Sequence, residues 1–264
     1  MDTYLTLLMR NFRHLTFIAV SATLLFAHQV RATEDATSLI QKGDIYYAKL
    51  QPSEALKYYL PAERLDPKNP KLLVRIARQY RHLASDATDK TEKTRLGNTA
   101  VRYAEHAVSL APEDPDTQLA VALSYGKLMP LLTTKEQIID SRIIKRSADK
   151  VIALDPNNDL AWHVLGRYYL NLADVSPVKR ALAQVVYGKL PPATFDQAIG
   201  CFEKAIALKP DRLMHYIELG RAYSESGHPD KGRKLVEKGL SMVNTEKDDA
   251  ELKMVGRELL AKMP

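Results

Sequence analysis

Arg78, Arg167 and Arg221 are the residues best suited, by type and by recurrence, to do chemistry in this chain. A guanidinium is a rigid, permanently charged fork that takes a carboxylate through paired N–H bonds. Lys71, Arg81, Lys127, His163 and Asn171 fall at neighbouring places when the chain is aligned on itself. Together they define a candidate groove for acidic side chains or a C-terminal carboxylate. The plainer alternative is that each arginine pairs with Glu or Asp of an adjacent helix, which at a surface contributes about 0–1 kcal/mol.

Other chemical signals are weaker. Gly227-His228-Pro229-Asp230-Lys231-Gly232 opens like a phosphate loop, but Arg233-Lys234 follows where Lys-Ser/Thr is required and no strand precedes it, so it reads as a turn. Ser147-Ala148-Asp149-Lys150 matches S-x-x-K without the companion S-D-N and K-T-G motifs. Cys201, beside Phe202, reads as a small core residue. Seven histidines without H-E-x-x-H, and one cysteine, supply no metal-ligand set. These patterns point to a binding protein rather than an enzyme, with no cofactor and no metal.

The elements that must position the cations are helices. Trp162, Leu165, Gly166 and Tyr169 are spaced W-x2-L-G-x2-Y, and Ala198, Phe202, Ala205 and Pro210 are spaced A-x3-F-x2-A-x4-P. This resembles the tetratricopeptide repeat (TPR), a pair of antiparallel helices A and B. Gly166 and Ala198 let the backbones approach, while Trp162, Tyr169 and Phe202 fill the wedge. Pro210 stops helix B, since proline cannot continue a helix.

About five such units follow one another. Gly43, Tyr46, Ala55, Tyr59 and Ala62 mark the first, with a turn at Gln51-Pro52-Ser53 and Ser53 expected as N-cap. Ala77 and Tyr80, then Ala100, Ala104 and Ala107, mark the second; the interval from Tyr80 to Ala100 predicts helices longer by a turn or two. Val121, Ala122 and Tyr125, then Ile144, Ala148 and Val151, mark the third, with Met129-Pro130 interrupting or ending its first helix. The fourth carries an insertion in which Ala181, Leu182, Val185 and Val186 predict an extra amphipathic helix, and Thr194 is the expected N-cap of its helix B. Gly220 and Tyr223, then Gly232, Val236 and Gly239, mark the compact fifth; residues 248–263 read as a capping helix. The expected fold is all-α: a right-handed α-α superhelix over residues 36–263, whose helix A residues line a concave groove. Counting Gly166 as position 8, position 9 holds Asp44, Arg78, Leu123, Arg167 and Arg221, and position 5 holds Ile40, Val74, Leu119, His163 and Ile217.

The chain has 264 residues, 45% hydrophobic, with only 11 Gly and 14 Pro, which suits helices. One cysteine excludes an intramolecular disulfide framework. Arg10, Arg13 and His14 precede an uncharged run from Leu15 to Ala27, and Val30-Arg31-Ala32 offers a cleavage site: residues 1–32 read as an export signal. An uncleaved membrane anchor is the alternative, though a bilayer span needs about 20 apolar residues. The charge of +6 is spread along the chain, without the basic-aromatic blocks of a nucleic-acid path.

The chain also resembles one branch of repeat proteins, the regulator of microtubule dynamics family. Thr134-Lys135-Glu136-Gln137-Ile138, Ala153-Leu154-Asp155-Pro156, Trp162-His163-Val164-Leu165-Gly166-Arg167 and Tyr187-Gly188-Lys189-Leu190-Pro191-Pro192-Ala193-Thr194-Phe195 carry the resemblance. Tyr168 stands where the family often has tryptophan. The resemblance implies a non-enzymatic helical protein acting through protein contacts, linked in eukaryotic members to microtubules. An exported chain would not meet tubulin; a signal-bearing relative fits a bacterial periplasm. The expected function is therefore a scaffold that binds an acidic protein or peptide, with no nucleic acid. The alternatives are a carrier of an apolar ligand such as lipid, held near Leu182 and Val186, and a cytoskeletal regulator if the N-terminus is not an export signal.

Overall fold

The structure, a computed structural model, describes residues 35–187 and 190–263. The expected export signal, and Gly188-Lys189 of the insertion, lie outside the described residues. Twelve α-helices and no strand occur among those described. They are α1 (Ala36–Ala48), α2 (Pro52–Leu65), α3 (Pro70–Asp86), α4 (Lys90–Leu110), α5 (Pro115–Leu128), α6 (Thr134–Leu154), α7 (Asp159–Ala173), α8 (Pro177–Tyr187), α9 (Phe195–Leu208), α10 (Leu213–Glu225), α11 (Pro229–Ser241) and α12 (Asp249–Lys262).

Their boundaries follow from local chemistry. Asp35, Asn69, Asp89, Asp114, Asn158 and Thr194 each accept a backbone N–H of the first helical turn, which would otherwise lack a partner. Thr133 with Glu136, and Thr194 with Gln197, complete reciprocal capping boxes. In the first unit the cap falls at Gln51 rather than Ser53, because Pro52 takes the first helical position, where its missing N–H costs nothing. Leu50 there adopts a positive φ of 56° to let the Leu50 and Gln51 amides bond Tyr47 and Tyr46. Gly227, φ 89°, does the same at the α10–α11 turn, so the phosphate-loop look-alike is a helix C-cap followed by Pro229.

Pairs α1/α2, α3/α4, α5/α6, α7/α9 and α10/α11 form five hairpins, with α8 inserted in the fourth. Small residues permit the close approach. A Cβ on Gly43 would lie 2.3 Å from Tyr59, on Gly166 2.7 Å from Phe202, and on Gly220 2.5 Å from Val236. Ala77 and Ala122, at the same place in units two and three, are fully buried, as are Ala55, Ala198 and Ala205 opposite. The stretched second and third units are long helices: α4 and α6 have 21 residues each, against 14 in α2. Between units, Tyr103 donates to Glu63, Tyr125 to Glu105 and Tyr223 to Glu203 (3.0, 2.6 and 2.9 Å).

The A helices α3, α5, α7 and α10 pack side by side and form the inner layer. The last helix, α12, packs on α10 and α11, with Gly256 seated against Leu240, Ile217 and Val236. Among the described residues no helix is long and apolar enough to cross a membrane.

Candidate peptide-binding face

The predicted groove residues separate into two clusters on the inner layer. In units two and three, α3 presents Arg78, Arg81 and His82, and α5 presents Lys127. Arg78 donates to the Tyr47 hydroxyl at 2.7 Å and lies over its ring. Arg81 bonds the buried Ser124 hydroxyl at 3.4 Å. Burial, and then repulsion from Arg78, pull the Arg81 guanidinium down to about 10, while the carboxylate of Asp248 pushes it back up. Lys71 is exposed at the start of α3.

Asp248 belongs to the turn that begins α12. Its Oδ1 lies 3.3 Å from His82 Nδ1 and its Oδ2 3.9 Å from Lys127 Nζ. Glu251 Oε2 lies 3.4 Å from the same lysine. Lys247 reaches Asp86 on α3. Burial alone would raise Asp248, yet bonds from His82 and Ser85 and the charge of Lys127 hold it below the ordinary carboxylate value. The C-terminal acidic stretch therefore crosses the inner layer, 124 residues in sequence from Lys127 and 166 from His82.

In units four and five the cations have local partners. Glu218 of α10 forms ion pairs with Arg167 Nε at 3.4 Å and Arg221 Nε at 3.0 Å, the second without hydrogen-bond alignment. Arg221 also donates to Asn171 at 3.2 Å. His163 does not line an open groove: it is 2% exposed, as position 5 faces the joint between units rather than the cavity. Leu119, Val74 and Ile217 at the same position are buried too. His163 Nδ1 meets His215 Nδ1 at 3.0 Å, His215 Nε2 meets Asp159 at 2.9 Å, and Arg212 bridges Asp159 and Glu246 at 2.9 and 3.1 Å. Burial depresses both imidazoles, His163 furthest, because a second charge would face His215, Arg167, Arg212 and Arg221. Asp159 is lowered despite its burial, by His215 and Arg212.

Sequence reasoning missed His82, Arg212, His215, Glu218, Asp248 and Glu251. The run Glu246-Lys247-Asp248-Asp249-Ala250-Glu251 carried a signal, a dense acidic patch opposite in sign to the groove. Cys201 is buried among Leu165 and Tyr168, and burial raises its thiol to about 11, as for a core residue. Among the described residues no group of three or more His, Cys, Asp or Glu side chains is arranged to hold a metal ion.

The sequence profile of the family described as regulator of microtubule dynamics protein 1-3 matches residues 39–264. The chain belongs to this family. It is 27% identical over 152 residues to regulator of microtubule dynamics protein 1 of Caenorhabditis elegans, covering 56% of this chain and 67% of that protein. It is 25% identical over 210 residues to the Bos taurus protein 1 (79% and 65%), and 23% over 230 residues to the Xenopus laevis protein 3 (86% and 50%). This family member thus spans about half to two thirds of the length of these relatives. A thermophilic TPR protein of Thermus thermophilus superposes with a TM-score of 0.60 at 17% identity, covering 86% of this chain and 99% of that one. The anaphase-promoting complex hetero-tetramer Cut9-Hcn1 gives 0.61 at 16% identity, covering 93% and 39%. Both likenesses confirm the TPR fold.

Proposed function

We propose that this protein is a non-enzymatic adaptor that holds an acidic protein or peptide segment against its inner face. One observation carries the reading: His82 and Lys127 are already engaged with carboxylates, those of Asp248 and Glu251. A surface that orders aspartate and glutamate in cis has the charge and donor geometry to take them in trans. Capture of cross-linked partners from the native compartment, with the wild-type chain and with His82→Gln/Lys127→Gln, tests it. The variant is expected to lose the wild-type partners with little change in thermal stability; unchanged capture would discard the reading.

Export to a periplasm or the exterior rests on the pattern of residues 1–32, and N-terminal sequencing of the mature chain beginning near Thr33 is the expected result. The microtubule role in the relatives' names would apply only to a chain retained beside tubulin, and co-sedimentation with polymerised tubulin measures that. A second reading, binding of an apolar ligand, is favoured by α8, where Val178 and Val185 are 77% and 86% exposed on one helical face. Lipid retained in native mass spectrometry, and lost with Val178→Ser/Val185→Ser, would support it.

A further inference from the structure

We propose that the inner face of units two and three is a docking site for an acidic segment of the pattern Lys-Asp-x-x-Glu, and that Lys247-Asp248-Asp249-Ala250-Glu251 occupies it in cis. The proposal rests on the adaptor reading above and names the partner's chemistry: a second acidic segment of this pattern, from another chain, competes with the chain's own.

The contact is complementary in both signs. Asp248 faces His82 and Lys127, Glu251 faces Lys127, and the preceding positive charge, Lys247, faces Asp86. A slip by one residue would set Lys247 against Lys127, so the register is specified by charge. The cis segment is also preformed. Asp249 Oδ2 accepts the Thr245 and Glu246 amides at 2.7 and 2.8 Å, Lys253 bonds the Met242 carbonyl, and Arg212 holds Glu246. None of these braces uses α3 or α5, so the inner-face pairs can part while the turn keeps its own bonds. The pairs themselves are partly solvated: the side chains of His82, Lys127 and Asp248 are 16, 26 and 31% exposed. Ion pairs of that exposure are individually weak and screened by salt, which makes the closed arrangement displaceable.

If the cis segment holds the face closed about nine tenths of the time, a competitor binds about tenfold more weakly than to an open face. The test uses the full chain, wild type and Asp248→Asn/Glu251→Gln, and a fluorescent peptide of residues 244–252 as probe. The peptide is expected to bind the variant at least about tenfold more tightly than the wild type, and Lys127→Gln added to the variant should remove the gain. Spin labels at the exposed Thr88 and Asn244, in a Cys201→Ala background, should give one short distance in the wild type and a broadened distribution in the variant or in about 1 M salt. Equal affinity for wild type and variant would overturn cis occupancy while leaving the adaptor reading to its own capture test. Binding to neither chain would overturn the docking site outright.

Discussion

At units four and five the inner-face cations are neutralised from within the helices that carry them or from the next helix; at units two and three their counter-charges arrive from the far end of the chain. Glu218 sits between Arg167 and Arg221, and the Asp159–His215–His163 chain is sealed in the joint between α7 and α10. Asp248 and Glu251 reach α3 and α5 only because the stacked hairpins curve back on themselves. The first arrangement is part of the core of the repeat stack and is fixed by packing. The second crosses the inner face through pairs that remain partly solvated. Similar cations thus serve as structure in one half and as a displaceable site in the other.

The strongest way to break the comparison is Asp159→Ala. It strands the fully buried His215 and leaves Arg212 with Glu246 alone, and a loss of about 2–3 kcal/mol is expected from urea unfolding, discounted from a wholly buried pair because Asp159 keeps some solvent. A loss no larger than that of a surface pair would show that units four and five are as loose as units two and three.

Acid gives the next effect. The folded chain holds His163 and His215 neutral with depressed values, so the unfolded chain binds more protons below about pH 6.5. Their contribution is complete above that pH and declines as pH falls, by up to about 1.4 kcal/mol per pH unit for each group until its folded value is reached. His163→Gln should flatten the curve between about pH 6.5 and 5; an unchanged slope would assign the acid sensitivity elsewhere. Asp159 and Asp248, both lowered in the fold, add stability above the ordinary carboxylate value that is lost only at more acid pH.

Glu218→Gln should cost about 1 kcal/mol, since Arg167 and Arg221 remain partly hydrated. Asp248→Asn should cost least, about 0–1 kcal/mol, with a salt dependence that the wild type shows and the variant lacks. Denaturant midpoints at low and high salt decide both, and a larger cost at Asp248 than at Glu218 would invert the contrast drawn between the two halves.

Legibility in the sequence followed the range of the forces involved. Gly166, Ala198 and Phe202 announced a hairpin because their spacing is set within one pair of helices, and the long α4 and α6 followed from the same count. The Ser53 cap was misplaced by a competing local rule, the preference of Pro52 for the first turn. Arg167 and Arg221 were found by type and position, but not their shared partner Glu218, whose role depends on how α7 leans on α10. His163 was placed in the groove by register, while position 5 faces the inter-unit joint, where Val74, Leu119 and Ile217 are buried as well.

Amino-acid order alone determined the helices, their pairing and their number of units, because capping, small-residue contact and proline stops act over a turn or a hairpin. Only the tertiary structure decided what faces the inner cations. The meeting of Asp248 with His82 is a property of accumulated curvature across four hairpins, and no local pattern encodes a distance that is a sum of many small rotations.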